Sequence, residues 1–271
     1  MSEANKFFRL LDFEVKHLHD YPGVLPQLWN NRLDGIIIRN IASQQLIEKF
    51  LILLDETGCN IPVTRYYWGK AYGRLLISKL NDIEQYYKDA AIYETNLPLI
   101  WGDGKSWEYY FRNILHILYG NSAHIPRFDD GNMCTSSTIR VVSDGKSLTT
   151  HCGNQFAYNS SKFNKLKSVS ILDDQLSYFL LLQKPMQGGD LTVFNAKWSK
   201  RNEYSNINSN MIKSIETSQS IKLELNPGDL LIFQGGQIYH RVECINGAIP
   251  RITLGGFLTP SKDWTKLYFW S

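Results

Sequence analysis

The sequence has few cysteines, and none that pair by spacing. Cys59, Cys134, Cys152 and Cys244 are scattered with no CxxC, which argues against a zinc ribbon or a disulfide framework and suits a reducing compartment. No apolar run approaches the roughly 20 residues that span a bilayer. Met1–Lys6 lacks the basic start and apolar stretch of a secretory signal, so the expectation is a soluble, cytoplasmic chain. Charge of one sign is also missing: 29 Lys and Arg against 26 Asp and Glu leave +3, which demands neither a nucleic-acid polymer nor a membrane surface. No internal repeat is found. Apolar residues are abundant, at 43% of 271 with 13% aromatic, enough for a sizeable core and incompatible with disorder.

The character of the chain changes near Pro126. Before it, Gly35–Arg39 reads as a buried β-branched strand. Ser43 can cap a helix whose apolar face is Leu46, Ile47, Phe50, Leu51 and Leu54, ending near Gly58. Asp82 with Gln85 suggests a capping box for a second helix through about Glu94. Ser106 can cap a third, with Tyr110, Ile114, Ile117 and Leu118 on one side. Residues 1–125 are therefore expected to be mainly helical, with one or two strands. After Pro126 come short β-rich runs at Thr138–Val142, Ser147–His151, Ser168–Leu172, Leu176–Leu182, Asp190–Phe194, Ile221–Leu225, Asp229–Phe233 and Arg251–Leu258. Turns punctuate them, among them Asp144-Gly145 and Asn226-Pro227-Gly228-Asp229. This spacing predicts an α+β, mainly β chain: one domain over 1–271, with a double-stranded β-helix (a cupin-like jelly roll) in 126–271 and the N-terminal helices packed on one sheet. Lys197–Ser220, rich in Lys, Asn, Ser and Glu, reads as a solvated loop or a lid.

Two histidines at β-type runs carry the chemistry. His151 ends Thr149-Thr150-His151 and His240 lies in Tyr239-His240-Arg241-Val242. A sheet that brings both imidazoles together makes a two-nitrogen metal site. Its oxygenase form is the 2-His-1-carboxylate triad, which binds non-haem Fe(II) with open positions. The carboxylate usually stands two residues after the first histidine, and here that residue is Gly153. Glycine offers no ligand atom, so an exogenous anion such as chloride can fill the position. Asp144, Asp190 and Asp229 are the other carboxylates that could complete a triad, although Asp at turns commonly satisfies backbone amides. Arg251 heads a strand. Turned inward, its guanidinium needs a partner, which a dicarboxylate such as 2-oxoglutarate supplies by a forked carboxylate contact, with Thr253 adding a hydroxyl donor. His17, His19, His116 and His124 lack such context and read as structural or surface residues.

Several motifs occur together: His151-Cys-Gly-Asn-Gln-Phe156, Asp174-Gln-Leu-Ser-Tyr-Phe179, Gly188-Gly-Asp-Leu-Thr-Val-Phe-Asn195, Pro227-Gly-Asp229, Tyr239-His-Arg-Val242, Arg251-Ile-Thr-Leu-Gly-Gly-Phe257 and Lys266-Leu-Tyr-Phe-Trp-Ser271. In this the chain resembles the freestanding Fe(II)/2-oxoglutarate halogenases of the welwitindolinone/ambiguine type, which chlorinate aliphatic carbons of alkaloids. The likeness is dense from Thr138 onward and thin from Pro62 to Asp130. A nucleotide halogenase acting on a deoxyadenylate is a second kind of relative. The resemblance implies His151 and His240 as iron ligands, Arg251 as the 2-oxoglutarate anchor and Gly153 as the chloride position. It also implies Phe156 in the substrate pocket and Ser177 as a residue that steers the oxidant, with O₂ as co-substrate and a small-molecule substrate free of any carrier protein. The family's Asp beside that Phe is Gln155 here. Arg74 and Lys79 add charge to the expected pocket wall and lean toward an anionic substrate such as a nucleotide. Two other readings are a hydroxylase with water in the vacant position and a cupin-like binding protein without catalysis.

Overall fold

The structure, a computed structural model, describes residues 7–57, 60–77, 82–101, 106–157, 160–199 and 209–271. Its frame among these residues is a ten-stranded sheet. The main path runs Leu10–Glu14, Gly35–Arg39, Leu230–Phe233, Leu176–Gln183, Arg251–Pro260, Thr138–Val142, Gly69–Tyr72 and Val63–Tyr66. Lys266–Trp270 pairs beside Arg251–Pro260 and in turn carries Ser122–His124. A four-stranded antiparallel sheet, in the order Ser220–Leu223, Leu191–Lys197, Ile238–Val242 and Leu148–His151, holds both histidines.

The period-two alternation of side chains decides what each face of the large sheet meets. Ile36, Ile38, Tyr178, Leu180, Leu230, Ile232 and Leu254 pack into a core that also contains Phe50, Leu54, Tyr93, Leu97, Phe111 and Leu115 of the helices. Ile37, Leu181, Leu231 and Phe233, from the alternate positions, pack with Leu191, Val193, Leu223, Ile238 and Val242 of the small sheet. Burial on both faces is why these strands read as unbroken apolar runs. It also leaves the space between the sheets as the place where any polar residue must find a partner.

The helix starts follow the capping residues. The Ser43 Oγ accepts from Leu46 N at 3.2 Å and Asp82 Oδ1 from Gln85 N at 3.1 Å. Ser106 Oγ accepts from Tyr109 N, also at 3.2 Å. These open the helices Gln44–Thr57, Ile83–Trp101 and Trp107–Tyr119. Gln85 also donates from Nε2 to Asp89 Oδ1 at 2.8 Å. No helix among the described residues is long and apolar enough to cross a membrane.

Three expectations are corrected. The described residues of 1–125 contain five strands, not one or two. The additional ones include the hairpin Val63–Tyr66 and Gly69–Tyr72, which extends the sheet beyond Thr138–Val142. Ser168–Leu172 is not a strand. Asn164–Val169 is a helix with Leu166 buried, ended by Ser170 N donating back to Leu166 O at 2.9 Å, and only an isolated bridge from Ser170 to Ser261 follows. Within Lys197–Ser220, residues 200–208 lie outside the described residues, but Ser209–Glu216 is a helix. Its Ile215 is buried against Cys152, Phe194 and Tyr239, and its Glu216 accepts from Thr150 Oγ1 at 2.5 Å. Lys79 and Cys59 also fall outside the described residues.

Candidate active site

His151, at the end of Leu148–His151, and His240, within Ile238–Val242, are direct cross-strand partners. Their ring centroids are 4.4 Å apart with planes at 55°. Each Nδ1 faces a carbonyl of its own strand: Thr149 O at 2.6 Å from His151 and Ile238 O at 2.8 Å from His240. A carbonyl only accepts, so in a neutral ring Nδ1 carries the proton and Nε2 keeps a bare lone pair. Burial lowers both pKa values, that of His240 the further because His151 lies beside it. Both rings are therefore neutral at pH 7. Two adjacent neutral imidazoles with fixed tautomers and free Nε2 atoms are what a metal ion requires of its histidines.

Among the described residues no group of three His, Cys, Asp or Glu side chains is placed to hold a metal. Two of the carboxylates considered above have other partners. Asp229 accepts from Arg39, Asn40 N and Asn226 N, and Asp144 accepts from Gly247 N. Two residues after His151 stands Gly153, its N–H donating to Gly235 O at 2.8 Å. A Cβ on Gly153 would lie 2.6 Å from Gln175 Nε2 and 3.2 Å from Gly236 Cα.

The cavity beside the histidines is lined by Gly153, Phe156, Ser177, Arg251 and Thr253, with Arg140 and Ile77 on its wall. Arg251 and Thr253 lie two apart on one strand and so share a face. Their cross-strand partners are Val142 and Arg140. Arg251 is buried, with Phe179 under its guanidinium at 4.9 Å. Burial, and after it the charge of Arg140, pushes its pKa down to about 10, so it stays cationic at neutral pH. It forms no ion pair among the described residues. The Phe156 ring lies 5.8 Å from that of His151.

One expected site residue is not brought to the cavity. Arg74 donates from Nε to Asp89 Oδ2 at 2.6 Å, on the helix Ile83–Trp101. Its charge is satisfied there, and it does not line the wall. Two groups that were not singled out from the sequence stand at the site. Arg140 faces the cavity with a buried Nη2 that has no partner. It is the one charged residue of Thr138–Val142, and it stands opposite Thr253 on the face that also carries Arg251. Gln175 is fully buried, and neither its Nε2 nor its Oε1 has a partner. Sequence carries no cue for it beyond its place in Asp174–Phe179.

Residues 7–271 match the family model described as carrier-protein-independent halogenase WelO5. The chain belongs to this family. The WelO5-type chain also shares its fold with solved oxygenases. An N-substituted L-amino acid dioxygenase from Burkholderia ambifaria AMMD is 18% identical, with a TM-score of 0.60 over 90% of this chain and 89% of that one. The same enzyme in complex with alpha-KG gives 0.55 over 90% of each chain. The alpha-ketoglutarate-dependent carbocyclase SnoK, from nogalamycin biosynthesis, is 10% identical, with a TM-score of 0.51 over 87% and 83%. No curated protein matches the chain. Family and fold make the WelO5-type chain an oxidoreductase of the 2-oxoglutarate-dependent halogenase type. Its residues fit the implied cofactors: paired Nε2 lone pairs suit a divalent iron, and an unpaired buried guanidinium suits a carboxylate.

Proposed function

We propose that the chain chlorinates an unactivated sp3 carbon of a freestanding small molecule, consuming 2-oxoglutarate and O₂ and releasing succinate and CO₂. On this reading the two sheets form a double-stranded β-helix, the whole chain works as one domain, and the site lies between the sheets. The observation that carries the proposal is the pair of free Nε2 atoms with a glycine two residues on and no third protein ligand among the described residues. Fe(II) bound there with 2-oxoglutarate and O₂ supplies an oxidant able to take hydrogen from an unactivated carbon.

The protein's own residues then have separate tasks. His151 and His240 hold the metal, and their strand carbonyls keep Nε2 aimed at it. Arg251 forks onto the distal carboxylate of 2-oxoglutarate while Thr253 donates a hydroxyl to it. Gly153 leaves room for chloride. Ser177, whose Oγ would lie 2.2 Å from a Cβ on Gly235, is packed in one place and steers the oxidant. Phe156 supplies an apolar wall. For a halogenase the task is positioning, because a displacement of about 1 Å can change a rate on the order of a hundredfold.

The test is halide dependence. With iron and 2-oxoglutarate loaded, chlorinated product measured by mass spectrometry should rise with chloride and be replaced by brominated product when bromide is substituted. Product that carries oxygen at every chloride concentration overturns the proposal. That outcome is the hydroxylase reading, and one observation favours it: the space beyond Gly153 is already narrowed by Gln175, so packing alone could require a glycine.

Arg140 narrows the substrate. A 2-oxoglutarate dianion that chelates the metal at one end and meets Arg251 at the other leaves a second guanidinium facing the cavity. Arg140 Nε donates to Thr138 Oγ1 at 3.3 Å, but among the described residues no carboxylate pairs with its charge, so a substrate with an anionic group, a nucleotide rather than an uncharged alkaloid, suits this wall. The Arg140→Leu enzyme should keep the wild-type KM for 2-oxoglutarate in substrate-free succinate release. A rise of about tenfold, worth roughly 1.4 kcal/mol, would reassign Arg140 to the cosubstrate's other carboxylate.

A further inference from the structure

Gln175 is a fully buried carboxamide with no hydrogen-bond partner at either end. Buried polar groups in native proteins are almost always satisfied, and an exception calls for a specific occupant such as an ion or a water. The position of this one is informative. Its Nε2 lies 2.6 Å from the point where a Cβ on Gly153 would stand. The next neighbours of that point among the described residues are Gly236 Cα at 3.2 Å and the Gln175 amide carbon at 3.4 Å. The amide therefore presents its nitrogen end, which carries two N–H donors, to the point where a side chain at position 153 would begin.

The backbone that carries this side chain is held from several directions. Gly236 N donates to Gln175 O at 2.8 Å. The preceding Asp174 exchanges two hydrogen bonds with Asn154, the residue next to Gly153: Asn154 Nδ2 donates to Asp174 Oδ1 at 2.8 Å, and Asp174 N donates to Asn154 Oδ1 at 3.1 Å. Trp29 Nε1 donates to Asp174 O at 3.1 Å. The segments around residues 153, 175 and 236 thus form one clipped junction. The backbone on which the donor is mounted is thereby fixed beside Gly153.

We infer that Gln175 is the halide-positioning residue: its Nε2–H donates to the anion that occupies the place of the missing carboxylate at Gly153. This rests on the reading of Gly153 as the halide position. It explains why a fully buried amide is left without a protein partner, and it gives the anion a directional contact that a bare vacancy lacks. Hydrogen bonds to a charged partner are the stronger kind, so the contact sets halide affinity and fixes where the halide stands relative to the substrate carbon.

The test is chloride titration of anaerobic protein loaded with Fe(II) and 2-oxoglutarate, followed through the visible absorbance of the loaded protein, with bromide calorimetry as a second readout. Gln175→Met keeps the length and removes the donors. Its chloride dissociation constant should rise about tenfold or more, with the affinity for 2-oxoglutarate within about twofold of wild type. Gln175→Glu keeps the shape and polarity and serves if the Met variant does not fold; its anionic end should weaken chloride binding further. Chloride binding at wild-type affinity in either folded variant overturns the assignment while leaving the halide site itself intact. Absence of halide binding in the wild-type protein overturns the reading of Gly153, and this assignment with it.

Discussion

If the chain chlorinates as proposed, Gly153→Asp is expected to turn it into an enzyme that mainly hydroxylates. The carboxylate would stand two residues after His151, where an oxygenase's third ligand usually stands, and would exclude the halide. The new Cβ would also come within 2.6 Å of Gln175 Nε2 and 3.2 Å of Gly236 Cα. The amide end can swing away, whereas the backbone cannot. The single variant should therefore bind metal but lose total turnover, with the ratio of chlorinated to hydroxylated product falling about tenfold or more. Combining it with Gln175→Ala frees the space and should recover hydroxylation, again read by product mass. Chlorination at the wild-type ratio in the folded single variant would show that the halide does not use this position.

Arg251→Leu is expected to separate stability from function. The guanidinium is buried over Phe179, and burial holds its pKa down to about 10. A base whose pKa is lowered on folding carries that cost wherever it is charged in both states, so at every pH below about 10 the ligand-free protein is destabilised by it. The shift is worth roughly 3–4 kcal/mol at most. Leucine removes this cost, and the ligand-free variant should melt about 5 °C higher than wild type. Its dissociation constant for 2-oxoglutarate should rise by about a hundredfold or more, because a buried charge-assisted fork is lost. With metal and 2-oxoglutarate saturating, the order of melting temperatures should reverse, since only the wild type gains the ligand's binding free energy. Calorimetry with and without ligand measures both effects. Unchanged 2-oxoglutarate affinity would remove Arg251 from the role proposed for it.

Much of this was legible in the sequence because it depends on local rules. Gly35–Arg39 is a strand buried on both faces, and its unbroken run of isoleucines states as much. Ser43, Asp82 and Ser106 cap helices at the expected places. The histidine pair and the Arg251–Thr253 face follow from strand alternation once the strands are assigned. Other features depend on partners distant in sequence. Ser168–Leu172 has β-branched residues, yet burial of Leu166 and the turn-closing bond of Ser170 make its start helical. Arg74 resembles a pocket cation until Asp89 is seen to hold it. Arg140 and Gln175 read as ordinary strand and turn residues. They become site residues because Arg140 Nη2 and both ends of the Gln175 amide are left without a partner, and that is a property of three-dimensional packing.

The carbonyls that orient the two imidazoles belong to Thr149 and Ile238, on the same strands as the rings they orient. Main-chain atoms survive any side-chain exchange, so ligand geometry is decoupled from the composition of the surrounding walls. Phe156 and Ile77 can be varied in selection for new substrates while the imidazoles keep their orientation, whereas the charge of Arg140 helps to hold both rings neutral and is less free to change.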